Sequence, residues 1–170
     1  MCLPSNGVGA ATAIIVGQNV GAVQLDRAEK GYKIARAMIV GFLLVGGFIL
    51  SRMPVSTAIV SIFSDDETVI AMAADFLSIM AFWVFTNGVY NTTTGLFQGS
   101  GHTAVNMVVD VSRLWIFRFG TLFVCEQFLN MGVRSVWYSV VVSNGIAAVV
   151  LFIVYLTGVW RKPMKKAERK

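Results

Sequence analysis

Apolar residues dominate this chain in five long stretches, at about 2–20, 34–50, 68–96, 104–125 and 135–159, with short polar or charged segments between them. A helix rising ~1.5 Å per residue needs about 20 such residues to cross a hydrocarbon core of ~30 Å. The last stretch is the plainest: Val136 to Trp160 is 25 residues without a charge, and the next ten, Arg161 to Lys170, hold six basic residues and one acid. The pattern predicts an all-α, polytopic membrane helical bundle of about five transmembrane helices over 1–160, followed by a basic cytoplasmic tail over 161–170.

Within the stretches, finer spacing predicts how the helices begin, end and pack. The first places Gly9, Ala13, Gly17 and Gly21 four apart on one face, a stripe that lets another backbone approach closely. It runs out at Gln24-Leu25-Asp26-Arg27, and the segment from Gly21 to Lys33 reads as a loop. Arg36 and Arg52 mark the ends of the second span, where their long stems return the charge to the interface. Pro54 breaks that pattern, so Val55 to Phe63 reads as an interfacial segment. Ser64-Asp65-Asp66-Glu67 fits a capping box at the head of the third span, which is expected to continue from Thr68 to about Leu96 as one helix. Gly95 to Thr103 contains three glycines with Gln98, Ser100 and His102 and reads as a turn at the membrane surface.

Composition and charge sharpen the topology. With 56% hydrophobic and 14% charged residues and a mean hydropathy of +0.70, a water-facing chain of this length would expose too much apolar surface. A net charge of +5 raises nucleic acid as a partner, but no basic patch with interleaved aromatics occurs, and none is expected to bind. Instead, ten basic residues (Arg27, Lys30, Lys33, Arg36 and the six of the tail) fall on inner segments against Arg52 and Arg134 on outer ones. That count puts the C-terminus in the cytoplasm and Met1 outside without a positive flank, so the chain is expected to be the C-terminal part of a longer protein or a truncated reading frame. A secretory signal peptide is not expected, because no basic n-region precedes the first apolar stretch. Cys2 and Cys125 have neither metal spacing nor the number for a disulfide framework and read as apolar fillers.

Candidate chemistry is limited to polar groups inside the spans. Asn87, Asn91, Thr94 and Gln98 recur at steps of four, three and four, which puts amides and a hydroxyl on one helix face. Such a stripe is costly against lipid, and two readings stay open: lining of a substrate cavity, or hydrogen bonding to a neighbouring helix. Asp110 and Arg113 are three apart and can pair on their own helix, while Asp75 lies two turns inside the outer end of the third span; the two acids are the ion-coupling candidates. Arg118 lies about 20 Å along its span, where an unpaired guanidinium costs about 2.5 kcal/mol or more, so it is expected to face the protein interior and line the cavity. Arg113, Gly99 and Gly101 are assigned structural or gating roles. Gln18 and Asn19 read as helix-end hydrogen bonders. His102, the single histidine, has no acid or cysteine at useful spacing, so neither a metal site nor a nucleophile-base pair can be built, and no enzyme activity or cofactor is expected. Gly99-Ser100-Gly101 lacks the lysine of a phosphate loop.

Several motifs together resemble the multidrug and toxic compound extrusion transporters. They are Gly9-Ala10-Ala11-Thr12 through Val16-Gly17-Gln18-Asn19-Val20-Gly21-Ala22 with Arg27-Ala28, the Ile62 to Glu67 start, Gly95 through Thr103, Arg113-Leu114-Trp115 with Arg118, and Gly132-Val133 with Val136-Trp137. The resemblance implies twelve helices in two six-helix lobes, of which this chain corresponds to the second without its first helix. It also implies a multi-pass plasma-membrane protein that exports amphipathic or cationic drugs in exchange for sodium ions or protons, with membrane lipids and the missing N-terminal lobe as partners. The sodium-coupled branch has an aspartate eight positions before the glycine that corresponds to Gly95, where this chain has Asn87, and many relatives have proline where it has Gly120. Protons are therefore expected over sodium. Two alternatives remain: a lipid-linked or polysaccharide flippase of the same wider fold group, which calls for a more basic cavity than Arg113 and Arg118 provide, and an inactive truncated membrane fragment.

Overall fold

A computed structural model describes residues 2–63, 66–129 and 133–161 of the chain. The elements run α1 (Cys2–Gly21), α2 (Leu25–Leu50), α3 (Met53–Val60), α4 (Glu67–Trp83), α5 (Phe85–Gly99), α6 (Thr103–Ser112), a π-helical segment (Arg113–Arg118), α7 (Phe119–Leu129) and α8 (Val133–Leu156), closed by a 3₁₀ turn (Val159–Arg161). By length and composition, Leu25–Leu50 and Ser135–Leu156 are each apolar enough to cross a membrane, and α4 with α5 provides a third crossing if the bent pair is one span. The first and fourth expected spans are helical but do not pass that measure. Ser5, Asn6, Gln18 and Asn19 dilute α1, and the fourth is divided by the π-helical segment and carries Asp110, Arg113 and Arg118.

The expected loop from Gly21 to Lys33 is much shorter in the structure, because α2 already starts at Leu25 and takes the basic residues into its first turns. Only Ala22 to Gln24 turn the chain. There the Gln24 amide reaches the Asn19 carbonyl (2.8 Å) and the Val23 amide the Val20 carbonyl (3.0 Å), the paired bonds of a Schellman motif. Its left-handed position is filled by Val23, at φ +60°, where a β-branched side chain is strained. Pro54 sits in the first turn of α3, where a missing N–H costs nothing.

At the head of α4 the cap is Asp66, whose carboxylate accepts from the amides of Thr68 (2.8 Å) and Val69 (3.4 Å). These amide bonds hold the Asp66 carboxyl below its ordinary value of 3.8. Ser64 and Asp65, the first half of the expected capping box, lie outside the described residues. The third span is not one helix to Leu96: it breaks at Val84 and bends by 47° between α4 and α5, and it then runs on to Gly99. Gly95 is therefore inside α5 rather than at its end, and the surface turn shrinks to Ser100–His102, with Gly101 at φ +84°.

Helix α5 is the centre of the bundle, with Thr86, Gly88, Tyr90, Thr92, Thr93, Gly95, Leu96 and Phe97 all buried. Helix α1 lies along it in the tightest seam of the molecule. A Cβ on Gly95 would strike the Gly9 carbonyl, one on Gly99 the Ala13 carbonyl, and one on Gly9 would come 2.7 Å from the Asn91 carbonyl. The small-residue stripe of α1 thus meets a second stripe on α5 at the same four-residue spacing, so the two backbones touch. Gly21, the last member of the expected stripe, has nothing near it. On the other side, α2 inserts Ile39 and Leu43 beside Gly88, and the inner core gathers Val16, Tyr32, Leu96, Phe97, Leu151 and Trp160 from four helices and the closing turn.

Candidate functional site

A polar cluster lies where α5, the α6–π junction and α8 meet. The Tyr90 hydroxyl donates to Asp110, whose carboxylate lies 3.4 Å from the Arg113 guanidinium. Arg113 Nη1 donates to Asn144 Oδ1 (3.2 Å), and the guanidinium stacks over the Tyr90 ring at 4.6 Å. One cation is thereby satisfied by a carboxylate, an amide and a ring face from three helices. Beside it, Asn106 donates to the Thr94 carbonyl (2.9 Å). Arg113 Nε, Asn106 Oδ1 and Thr94 Oγ1 are buried without a partner among the described residues.

The cluster explains the irregular helix around it. A π-helical segment bonds i to i+5, so Arg118 is set one turn above Arg113, where continuous α-helix would have placed Phe117. Asp110 and Arg113 are paired at the start of this segment and Arg118 closes it. Arg118 stands exposed on this chain.

The amide stripe is divided among different tasks. Asn91 donates across the α1 seam to Ser5 Oγ (3.0 Å), Thr94 is closed in by Asn106, and Gln98 is exposed. Asn87 is half-buried just past the helix break, and its backbone amide donates to Val84 (3.0 Å). Asp75 is half-buried on α4. Asn19 bonds the Ile15 carbonyl (2.7 Å), and His102 Nδ1 lies beside Ser100 (3.2 Å from its carbonyl). Gly99 belongs to the α1 seam and Gly101 to the turn that ends α5. Cys125 is a buried free thiol.

Sequence spacing misses the other cluster, at the N-terminal end of α2 and the C-terminal end of α8. Glu29 pairs with Lys33 (2.7 Å) on its own helix, and with Arg161; it also accepts from the Tyr155 hydroxyl (3.1 Å). Tyr32 stacks on Tyr155 at 4.8 Å and shares a hydrogen bond with Thr93 (2.9 Å). Apart from Glu29–Lys33, these contacts join residues 61 to 132 positions apart, and of them only the Glu29–Lys33 spacing was readable. For the Tyr90 cluster the available signal was Asn144, the lone asparagine in the uncharged run from Val136 to Trp160.

The structure is thus an all-helical bundle with ionic and amide groups lodged at its helix seams, and among the described residues no group of His, Cys, Asp and Glu could hold a metal ion. The MatE family model matches residues 1–124, and the chain belongs to this family of transporters. It is similar to the probable multidrug resistance protein NorM of Pasteurella multocida, at 30% identity over 86% of this chain and 32% of the relative. It is also similar to the protein DETOXIFICATION 17 of Arabidopsis thaliana, at 26% identity over 98% of this chain and 34% of the relative. In fold it matches a solved inward-facing multidrug resistance MATE family transporter of the MOP superfamily, with a TM-score of 0.82 and 19% identity over 96% of this chain and 38% of that one. The chain thus spans about a third of the length of the curated relatives it matches.

Proposed function

We propose that the chain forms most of the second lobe, lacking that lobe's first helix, of an antiporter that expels amphipathic or cationic compounds across the plasma membrane by alternating access. The observation that supports this most is the fold match, which takes up nearly all of this chain and well under half of the transporter. A rocking carrier encloses its cavity between two lobes. The exposed Gln98 and Arg118 are the polar groups this lobe offers to such a cavity, and the Asp110–Arg113 pair opens the segment that Arg118 closes.

Coupling by protons rather than sodium fits the same groups. Asn87 carries no charge, Asp110 is already occupied by Tyr90 and Arg113, and Asp75 lies toward the outer end of its expected span, so this reading assigns the coupling acids to the other lobe. The test is ethidium efflux from proteoliposomes under imposed proton or sodium gradients, with this chain alone and joined to a first lobe. Proton-driven efflux by the joined protein, reduced at least tenfold in Arg118→Ala at equal membrane content, is expected. Gradient-driven efflux by the 170-residue chain alone, or strict sodium dependence lost in Asn87→Ala, overturns the reading.

A further inference from the structure

Arg36 is a cation without an acidic partner among the described residues, set about three turns into α2. It is held instead by rings: its guanidinium lies 5.1 Å from the centroid of Tyr32, 5.0 Å from Phe152 and 6.0 Å from Tyr155, and Nη1 donates to the Tyr32 hydroxyl (3.3 Å). A guanidinium has five N–H donors, and one bond to a phenol leaves most of them unused. The nearby acid does not take them, because Glu29 already serves Lys33, Arg161 and Tyr155. Arg27, Lys30 and Lys33 are exposed on the same helix end, and the ion pair with Glu29 brings Arg161 to it.

Phe152, one ring of this platform, is also the upper wall of an apolar groove between α5 and α8. The groove holds about 350 Å³ and passes Val149, Ala148 and Gly145 down to Phe85 and Trp83 at the helix break. Its floor is small: a Cβ on Gly145 would meet nothing within 4 Å. From Phe152 to Gly145 is about 10 Å at ~1.5 Å per residue, room for the first half of an acyl chain. A donor-rich cation at the mouth and a hydrocarbon slot below it have the chemistry of one amphiphile with an anionic head.

We propose that this is a binding site for an anionic phospholipid, with the phosphate on Arg36 and one acyl chain in the α5–α8 groove. The exposed basic residues of α2, with Arg161 beside them, add an attraction that favours a negatively charged headgroup over a zwitterionic one. The site does not depend on the transport reading, nor on which side of the membrane the C-terminus faces.

Two readouts on the 170-residue chain in lipid nanodiscs test it. The first is native mass spectrometry of bound lipid with equimolar phosphatidylglycerol and phosphatidylcholine. The second is quenching of tryptophan fluorescence by the same lipids brominated on the acyl chain, which reports contact with Trp83 after Trp115, Trp137 and Trp160 are replaced by Phe. At least fivefold enrichment of phosphatidylglycerol is expected, falling to near equality in Arg36→Gln. Gly145→Leu should reduce the quenching by both lipids to the part that surrounding lipid exerts on the exposed Trp83, while circular dichroism and gel filtration stay as in the parent chain. Equal retention of both lipids by the parent chain, or undiminished preference in a folded Arg36→Gln, overturns the headgroup assignment. Quenching unchanged in Gly145→Leu overturns the groove, and equal occupancy by glycerophosphoglycerol without acyl chains shows a phosphate site and not a lipid site.

Discussion

Val23 occupies a backbone conformation that costs a β-branched residue about 1–2 kcal/mol and costs glycine little. Its side chain is 85% exposed, so its removal gives up no packing. Val23→Gly is therefore expected to stabilise the chain by about 1 kcal/mol, seen as a higher midpoint of thermal unfolding in detergent; an unchanged or lower midpoint counts against the strain. Gly99 is the opposite case, because an added methyl meets the Ala13 carbonyl of another helix, which has no rotamer in which to retreat. Gly99→Ala should cost about 1–3 kcal/mol, whereas Gly120→Ala, in open space within α7, should gain up to about 1 kcal/mol. Equal effects at the two positions would show that helix propensity and not the seam decides. Asp66 adds a pH term: its folded carboxyl titrates below 3.8, so its capping bonds act fully above that value and are lost as pH falls through the lower folded one. Fraying of the α4 start should follow that acid limb by hydrogen exchange and be absent in Asp66→Asn, whose amide oxygen caps without titrating.

At the scale of the helix, each apolar stretch does hold helix, but the breaks within the third and fourth were not foreseen. Four-residue spacing of Gly9, Ala13 and Gly17 told that a backbone would come close, since nothing else explains small residues in register. It could not tell which helix would arrive, because the matching stripe of Asn91, Gly95 and Gly99 was read as polar in one half and as a turn in the other. The bend at Val84 has no proline or glycine to announce it. Its cause is tertiary: Gly47 of α2 presses its backbone on the Ala81 carbonyl, and Val84 packs beside Ile39 and Leu43. The π-helical segment is equally silent, since its register serves Arg113, which must reach Tyr90 and Asn144 on two other helices. If α2 holds the bend, Gly47→Val should change the angle between α4 and α5. Spin labels at the exposed Thr68 and Gln98 should then move apart by several ångströms relative to the parent, and an unchanged distance would place the cause of the bend within α4 and α5 themselves.

At the scale of the whole chain, the basic residues were the most legible signal and the orientation they imply is open to a direct test. Thr57 on α3 and Lys30 on α2 are both exposed, and the charge pattern puts them on opposite faces. Cysteines there, in a background lacking Cys2 and Cys125, should separate cleanly: a membrane-impermeant maleimide added to intact cells is expected to label position 57 and not 30, and the reverse would invert the topology. The Glu29 cluster was illegible for the contrary reason, as its parts are far apart along the chain and ordinary in themselves. That distance also sets a timetable during synthesis. Tyr155 and Arg161 leave the ribosome 126 and 132 residues after Glu29, a delay of roughly 6–25 s at ~5–20 residues per second. Until then Lys33 alone serves the carboxylate, and α2 must wait in the bilayer with its N-terminal end half-fastened, so that α8 is the helix that locks it into place.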